Sequence, residues 1–280
     1  MRAGLLAVLA LTMAATPATA DEVLFARDGA LWKVPAGGGE AVKVVEMDRS
    51  ARGIERIEVG GDSVLVRAGR ARRWVKGERV GGLGCGAEPE AGKGMGKGMG
   101  TRELGWDGQS VRCAVDQDTD VIVDAKGKRW TERVERVGMV GPAGRAVAVA
   151  DGALVTFKVG GTKARRVLLR DAVPVSWSAN GQWLLIGLGE SACIIRAVGG
   201  QYKCWTGYLP LAIAGDGSQA VLGKPGATRT DLYRGQLAGA RAEAPALLVR
   251  DVDGPAAWLD GAGPAGADVS PPELEEGGPE

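Results

Sequence analysis

Residues 175–185 read VSWSANGQWLL, and the architecture of the chain can be worked out from this stretch. Two apolar runs, marked by Trp177 and Trp183, flank the polar turn Ser178-Ala179-Asn180-Gly181. Branched and aliphatic residues suit β-strands, and Asn-Gly readily adopts the positive φ that a tight hairpin requires. The stretch therefore predicts the end of one strand, a turn, and the start of a second, antiparallel strand.

Similar strand-like runs recur along the chain about 40 residues apart. Their first residues are Val23, Val64, Val111, Ala146, Trp183 and Ala220. Several of these runs are followed by a turn of Gly or Asp and then by a second strand-like run. A pair of glycines then precedes a third run; the pairs are Gly38-Gly39, Gly160-Gly161 and Gly199-Gly200. With the strand that precedes each turn, a unit has four strands, as in a blade of a β-propeller.

The strand before each turn carries a tryptophan in three units, at Trp106, Trp177 and Trp258. We expect these rings to pack between blades rather than to stack on a ligand. No strand-like run follows Trp258, and none precedes Val23. Six four-stranded blades over residues 21–268 result if the strand Ala256–Leu259 pairs with the N-terminal hairpin and closes the ring. The unit around residues 70–80 fits the pattern least well.

The stretch at 175–185 resembles the repeat of TolB-type, WD40-like propeller proteins, in which a strand ends in Trp-Ser-Pro-Asp-Gly before an apolar run. Residues 27–40, RDGALWKVPAGGGE, are similar to the second half of the same repeat. The resemblance extends over nearly all of residues 21–268 and leaves no room for the separate N-terminal domain of TolB itself. It implies a six-bladed propeller that binds proteins outside the cytoplasm.

The first twenty residues have the pattern of a signal peptide. Arg2 is followed by a short apolar run from Leu5 to Met13, and Ala18-Thr19-Ala20 provides the small residues of a cleavage site before Asp21. We expect export to the periplasm or to the outside of the cell, with no membrane span in the mature chain. Residues 269–280 are rich in Pro and Glu and predict a disordered acidic tail.

Four cysteines in an exported chain favour disulfide bonds, and the sequence allows three pairings. Cys193 and Cys204 flank a turn at Gly199-Gly200 and are expected to face one another across a hairpin. Cys85 and Cys113 would then close the base of the insertion between them. The competing hypothesis, a zinc site of four cysteines, lacks any Cys-x-x-Cys pair.

The chain contains no histidine, which excludes Ser-His-Asp and Cys-His catalysis and a histidine-ligated zinc. We expect a protein that is not an enzyme and that has no cofactor or metal. The alternative is a hydrolase of the lactonase-like propeller type, with a metal held in the central channel by Glu, Asn and Asp. The single Asn, Asn180, lies at a turn position, which makes such a ligand set difficult to build.

Binding to another protein or to a cell-envelope component is the expected activity, by a monomer. Removal of the signal peptide with Arg2 would leave 34 basic and 34 acidic residues, so the mature chain has no net charge. The basic residues are also scattered rather than clustered, so we do not expect nucleic acid as a partner. The low-complexity run Gly92–Gly100 predicts either a passive loop or a mobile arm. In the second case its contact residues are Lys93, Met95, Lys97 and Met99.

Overall fold

The computed structural model describes residues 21–47, 53–60, 63–68, 71–77, 85, 102–106, 110–114, 119–124, 129–133, 136–141, 145–158, 166–200, 202–237 and 243–261. Every regular element in these ranges is a β-strand. The predicted signal peptide (1–20), the run 92–100 and the predicted tail (269–280) lie outside the described residues. In the described part of the chain, no helix has the length and apolarity needed to cross a membrane.

The strands are, in chain order, β1 (Glu22–Arg27), β2 (Ala30–Pro35), β3 (Val42–Glu46), β4 (Arg56–Gly60), β5 (Ser63–Ala68), β6 (Ala71–Lys76), β7 (Arg102–Trp106), β8 (Ser110–Ala114), β9 (Thr119–Asp124), β10 (Arg129–Arg133), β11 (Arg136–Val140), β12 (Arg145–Ala150), β13 (Ala153–Lys158), β14 (Arg166–Arg170), β15 (Ala172–Trp177), β16 (Trp183–Leu188), β17 (Ser191–Arg196), β18 (Tyr202–Thr206), β19 (Leu209–Ile213), β20 (Gln219–Pro225), β21 (Thr230–Gln236), β22 (Ala246–Val252) and β23 (Ala256–Leu259).

These strands form antiparallel sheets that follow one another along the chain. The first sheet has the order β23-β1-β2-β3, the second β4-β5-β6, the third β7-β8-β9-β10, the fourth β11-β12-β13-β14, the fifth β15-β16-β17-β18 and the sixth β19-β20-β21-β22. Five sheets thus have the four strands that the sequence predicts. The second has three in the described part of the chain, in the region where bases interrupt the repeat pattern.

Each sheet lies beside the next one along the chain. The closest contacts involve the leading strand of each sheet, by which we mean the first strand in the orders given above. β4 lies beside β7, β11 contacts β8 and β9 of the third sheet, and β15 lies between β11 and β19. β23 contacts both β19 of the sixth sheet and β4 of the second. The first sheet is therefore in contact with the sheets at both ends of the series.

The two ends of the described chain meet in the first sheet. β23 pairs antiparallel with β1 in the register Glu22↔Leu259, Val23↔Trp258, Leu24↔Ala257 and Phe25↔Ala256. This is the pairing that the sequence predicts for Ala256–Leu259. Both strands are largely buried, so their apolar side chains are withdrawn from water where the ends join.

The core lies between the sheets, and successive residues of a strand point to opposite neighbours. In β16, Leu184 and Ile186 pack with Val147 of the fourth sheet, whereas Leu185 packs with Leu222 of the sixth. Side chains alternate across a strand, so a strand with sheets on both sides needs apolar residues throughout. This requirement explains the unbroken run WLLIGL in β16.

Tryptophans of the fifth sheet fill the spaces between sheets, and each lies over a glycine of a neighbour. Trp177 packs on Gly141, Trp183 on Gly217, and Trp205 on Gly235. A Cβ atom on Gly235 would lie 2.7 Å from Cζ2 of Trp205, which is well inside van der Waals contact. The contact of Trp177 confirms the prediction for that ring, and Trp258 is likewise buried in the core shared by the first and sixth sheets. The side chain of Trp106 lies outside the described residues.

Candidate functional site

The four cysteines form two disulfides, with the pairings that the sequence favoured. Cys193 and Cys204 are directly opposed in β17 and β18, with their Cα atoms 4.1 Å apart. Cys85 is bonded to Cys113, which is fully buried in β8. The second disulfide therefore fixes the chain at residue 85 to the third sheet.

The turn Ser178–Gln182, which carries the TolB-like motif, binds the neighbouring sheet. Inside the turn, the Oδ1 atom of Asn180 accepts hydrogen bonds from the Ser178 hydroxyl (2.6 Å) and the Gln182 N–H (3.0 Å). The Nδ2 atom of Asn180 donates a hydrogen bond to the backbone carbonyl of Asp216 (2.9 Å). The backbone N–H of Asn180 donates another to the backbone carbonyl of Gly215 (3.0 Å). The single asparagine of the chain thus holds the fifth sheet against the sixth.

Three carboxyl groups gather where the first and sixth sheets meet; we call Asp21, Asp216 and Asp260 the aspartate cluster. Asp260 accepts a hydrogen bond from the N–H of Gly215 (2.8 Å), and Asp21 accepts one from the N–H of Gly261 (2.9 Å). Burial raises the pKa of Asp260 above its ordinary value, and the charges of Asp21 and Asp216 raise it further. Asp216 and Asp260 are nonetheless exposed, so water solvates most of this negative charge.

A second polar contact joins the same two sheets through the turns after β1 and β20. Arg229 forms ion pairs with Asp28 (2.8 Å) and Asp253 (3.1 Å), and Asp253 also accepts a hydrogen bond from the N–H of Asp28. The hydrogen bond to Asp28 and the charges of both aspartates raise the pKa of Arg229. Because Arg229 is solvent-accessible, this contact is expected to be sensitive to salt.

The second and third sheets meet around a buried carboxylate. Glu58 of β4 is 3% exposed and lies 3.0 Å from Nε of Arg67 and 3.3 Å from Nε of Arg56. A Cβ atom on Gly105 of β7 would lie within 2.8 Å of the guanidinium groups of Arg56 and Arg112. The positive charges of Arg56 and Arg67 compensate the negative charge of Glu58, as a buried carboxylate requires.

Large apolar side chains reach solvent mainly on the last strands of five sheets: β3, β6, β14, β18 and β22. Among the described residues, six of the eight exposed examples lie there: Val42, Val44, Trp74, Val167, Tyr202 and Leu247; the other two are Val198 and Leu209. These strands are also sheet edges, whose unpaired backbone groups can receive another strand. The outer rim thus combines apolar side chains with open edges.

Three of these residues lie on the adjacent rims of the fourth and fifth sheets, and we call them the rim patch. Val167 is in β14, Val198 follows β17, and Tyr202 begins β18; they are 59%, 41% and 53% exposed. The turn that carries Val198 rests on β14, since a Cβ atom on Gly199 would lie 3.4 Å from Cδ2 of Leu168. The two rims are therefore in contact at this turn.

The predicted arm residues Lys93, Met95, Lys97 and Met99 lie outside the described residues. Within the described ranges, no group of three or more Cys, Asp or Glu residues is placed to hold a metal ion. Sequence reasoning missed the aspartate cluster, the Arg229 contacts and the ion pairs of Glu58. The aspartate cluster and the Arg229–Asp28 pair join residues far apart in the chain, and Glu58 is not distinguished in the sequence from an exposed glutamate.

Comparison with solved structures places this arrangement of sheets among known folds. A chain in the crystal structure of a nidogen/laminin complex superposes with a TM-score of 0.53 at 14% identity, over 85% of this chain and 98% of that one. TolB from Acinetobacter baumannii superposes with a TM-score of 0.53 at 12% identity, over 86% of this chain and 67% of that one. The fold is of the β-propeller type.

The propeller-type fold agrees with the expectation drawn from the TolB-like stretch. At these identities the likeness shows the fold alone. No family model matches the chain, and no curated protein matches it.

Proposed function

We propose that the chain is an exported, non-catalytic propeller of six blades that binds another protein or a cell-envelope component through its outer rim. The rim patch carries the proposal, because it combines exposed apolar side chains with open strand edges. Such surfaces are characteristic of protein interaction sites, and a peptide can extend a sheet by pairing with its edge. In this proposal the protein acts as a monomer and uses no cofactor.

The contacts between sheets support a closed ring. Consecutive sheets touch, and the first sheet contacts both the second and the sixth. Pairing of β1 with β23, together with the Arg229 ion pairs, holds the joined ends. Closure of this kind covers the leading strands and leaves the outermost strands as the available edges.

Two independent features support export. The first twenty residues have the charge, apolar run and small residues of a signal peptide. All four cysteines are in disulfides, which persist in oxidising compartments. A role in protein binding also agrees with the nidogen/laminin structure, in which a chain of similar fold belongs to a protein complex.

The test is affinity capture from an envelope fraction with the purified mature protein as bait. We expect a specific partner to be retained by the unmodified protein and lost with the double variant Val167→Ser/Tyr202→Ser. Leu247→Ser is the control, because Leu247 is also an exposed apolar residue (42%) on the last strand of another sheet. Equal capture by all three proteins would exclude the rim patch as the binding surface.

A further inference from the structure

The two ends of the strands in the fourth and fifth sheets differ in charge. We call the end that carries the Ser178–Gln182 turn the motif end; the two sheets share it, because Trp177 lies over Gly141 there. The acids among the described residues of these sheets all lie in turns at the opposite end; they are Asp151, Asp171 and Glu190. At the motif end the described charged residues are all basic: Arg145, Lys158, Arg166, Arg196 and Lys203.

Three of these bases lie on the side of the fourth sheet that faces the fifth; we call Arg145, Lys158 and Arg166 the basic row. Residues an even number of positions apart share one side of a strand. Val147, on the strand of Arg145, and Leu154, on the strand of Lys158, both pack in the core shared with the fifth sheet. The side chains of Arg145 and Lys158 are therefore directed to that side as well.

The basic row has no partner of opposite charge. Arg145 and Lys158 are directly opposed in the ladder between β12 and β13, where Cβ atoms are about 5 Å apart and like charges destabilise the pair. In the described part of the chain, no member of the row has an ion pair or a side-chain hydrogen bond. Arg145 is half-buried, and the other two are exposed. The row is therefore available to an anionic group from outside the chain.

Apolar side chains of the rim patch lie beside the basic row. Arg166 immediately precedes Val167, and a Cβ atom on Gly199 of the fifth sheet would lie 3.6 Å from the guanidinium group of Arg166. Tyr202 is opposite Ile195, which packs in the core shared with the fourth sheet, so Tyr202 is directed to the same side. The row and Tyr202 thus border one space between the two rims.

We infer that the partner at the rim is an acidic, extended polypeptide segment that pairs with the edge of β14; this inference rests on the proposed function and names the chemistry of its partner. Arg166 and Val167 are consecutive, so they lie on opposite sides of the strand. An added strand has the same period of two, so its acidic side chains meet the basic row on one side while its apolar side chains cover Val167 on the other. A polypeptide fits better than an anionic lipid, because it supplies the backbone groups that pair with an open sheet edge.

The test measures, by fluorescence anisotropy, how the purified mature protein binds a labelled peptide of about ten residues that alternates glutamate and valine. A peptide of the same composition, with the glutamates and valines in separate blocks, is the control for their order. Lys158→Gln/Arg166→Gln removes two members of the row. Its matched control, Arg250→Gln/Lys224→Gln, removes an exposed arginine and an exposed lysine of the sixth sheet.

We expect the unmodified protein to bind the alternating peptide and to bind the blocked peptide much less. Loss of two exposed ion pairs should weaken binding by about fivefold in Lys158→Gln/Arg166→Gln, and binding should be unchanged in the control variant. The row is also checked without any peptide. At about 0.05 M salt, Lys158→Gln should not lower the thermal midpoint, because Arg145 loses a neighbour of like charge.

Absence of binding to the alternating peptide, equal binding of the blocked peptide, or equal losses in the two double variants would overturn the inference. So would binding of phosphatidylglycerol vesicles instead of the peptide. Binding only to a chain that ends at Gly261 would also overturn it, since the acidic C-terminal residues would then occupy the row. Envelope capture that depends on Val167 and Tyr202, together with any of these results, would leave the proposed function standing.

Discussion

Replacing Gly235 by Ala tests the packing of tryptophan on glycine between the fifth and sixth sheets. A Cβ atom at this position would lie 2.7 Å from Cζ2 of Trp205 and 2.8 Å from Cδ1 of Leu222. Carbon atoms prefer separations of about 3.5–4.0 Å, so the added methyl group overlaps two fixed neighbours. The overlap has to be relieved by moving a buried ring.

Overpacking of a core costs about 1–3 kcal/mol. The φ of Gly235 is not in the left-handed region, so alanine can adopt the native backbone conformation there. Alanine also lowers the conformational entropy of the unfolded chain, which stabilises the folded protein by about 0.4–1 kcal/mol and offsets part of the cost. We expect a net loss of about 1–2 kcal/mol, which corresponds to a thermal midpoint lower by about 2–8 °C.

Thermal and urea unfolding of purified protein provide the measurement, with Gly37→Ala as the control. Gly37 is likewise outside the left-handed region, and a Cβ atom there would meet nothing within 4 Å. Its replacement should leave stability unchanged or raise it slightly. In the background of Trp205→Leu, the cost of Gly235→Ala should shrink because the ring that it displaces is gone.

Two results would refute this reasoning. One is an equal effect of Gly235→Ala and Gly37→Ala. The other is an undiminished cost of Gly235→Ala when Trp205 is replaced. Either would mean that the sheets are not held at the spacing set by the indole ring.

Three further predictions concern the exposed ion pairs, the disulfides and the buried carboxylate. Arg229→Gln should lower the thermal midpoint more at about 0.05 M salt than at about 1 M, because salt screens exposed charges; a loss independent of salt would contradict this. If each disulfide stabilises the fold by lowering the entropy of the unfolded chain, removing Cys85–Cys113 should cost about 3.6 kcal/mol and removing Cys193–Cys204 about 2.8 kcal/mol, because they close loops of 28 and 11 residues. A larger loss for Cys193–Cys204 in denaturant titration would argue against this entropic explanation. Glu58→Ala should lower the free energy of unfolding by about 3–5 kcal/mol, because it removes the negative charge that compensates Arg56 and Arg67 at a buried site. Glu46→Ala is the control: Glu46 forms an exposed pair with Lys43, so stability should change by less than about 0.5 kcal/mol. Similar unfolding midpoints for the two variants would contradict the prediction.

Sequence reasoning was most accurate where a local pattern carries the structure. The runs that begin at Val23, Val64 and Ala146 were recognised because branched and aliphatic residues alternate with Gly- and Asp-rich turns. The strands β1, β5 and β12 cover them. Leading strands such as β4 and β11 were not identified individually, since RIEVG and RVGMV are short and carry no turn motif.

Polar contacts between sheets were beyond the reach of the sequence. Arg229 lies 201 residues from Asp28, and Gly261 lies 240 residues from Asp21. A lone arginine or aspartate in a polar turn looks the same whether it faces water or another sheet. Which of them meet depends on how far each sheet is rotated against its neighbour.

The sequence by itself determined the strand-and-turn repeat and the disulfide pairing across a hairpin, because each depends on residues close together in the chain. Only the tertiary structure decided which tryptophan rests on which glycine, where the carboxyl groups gather and which apolar residues remain on the rim. Those features arise when separate sheets pack face to face. The packing buries some side chains and exposes others of the same chemical type.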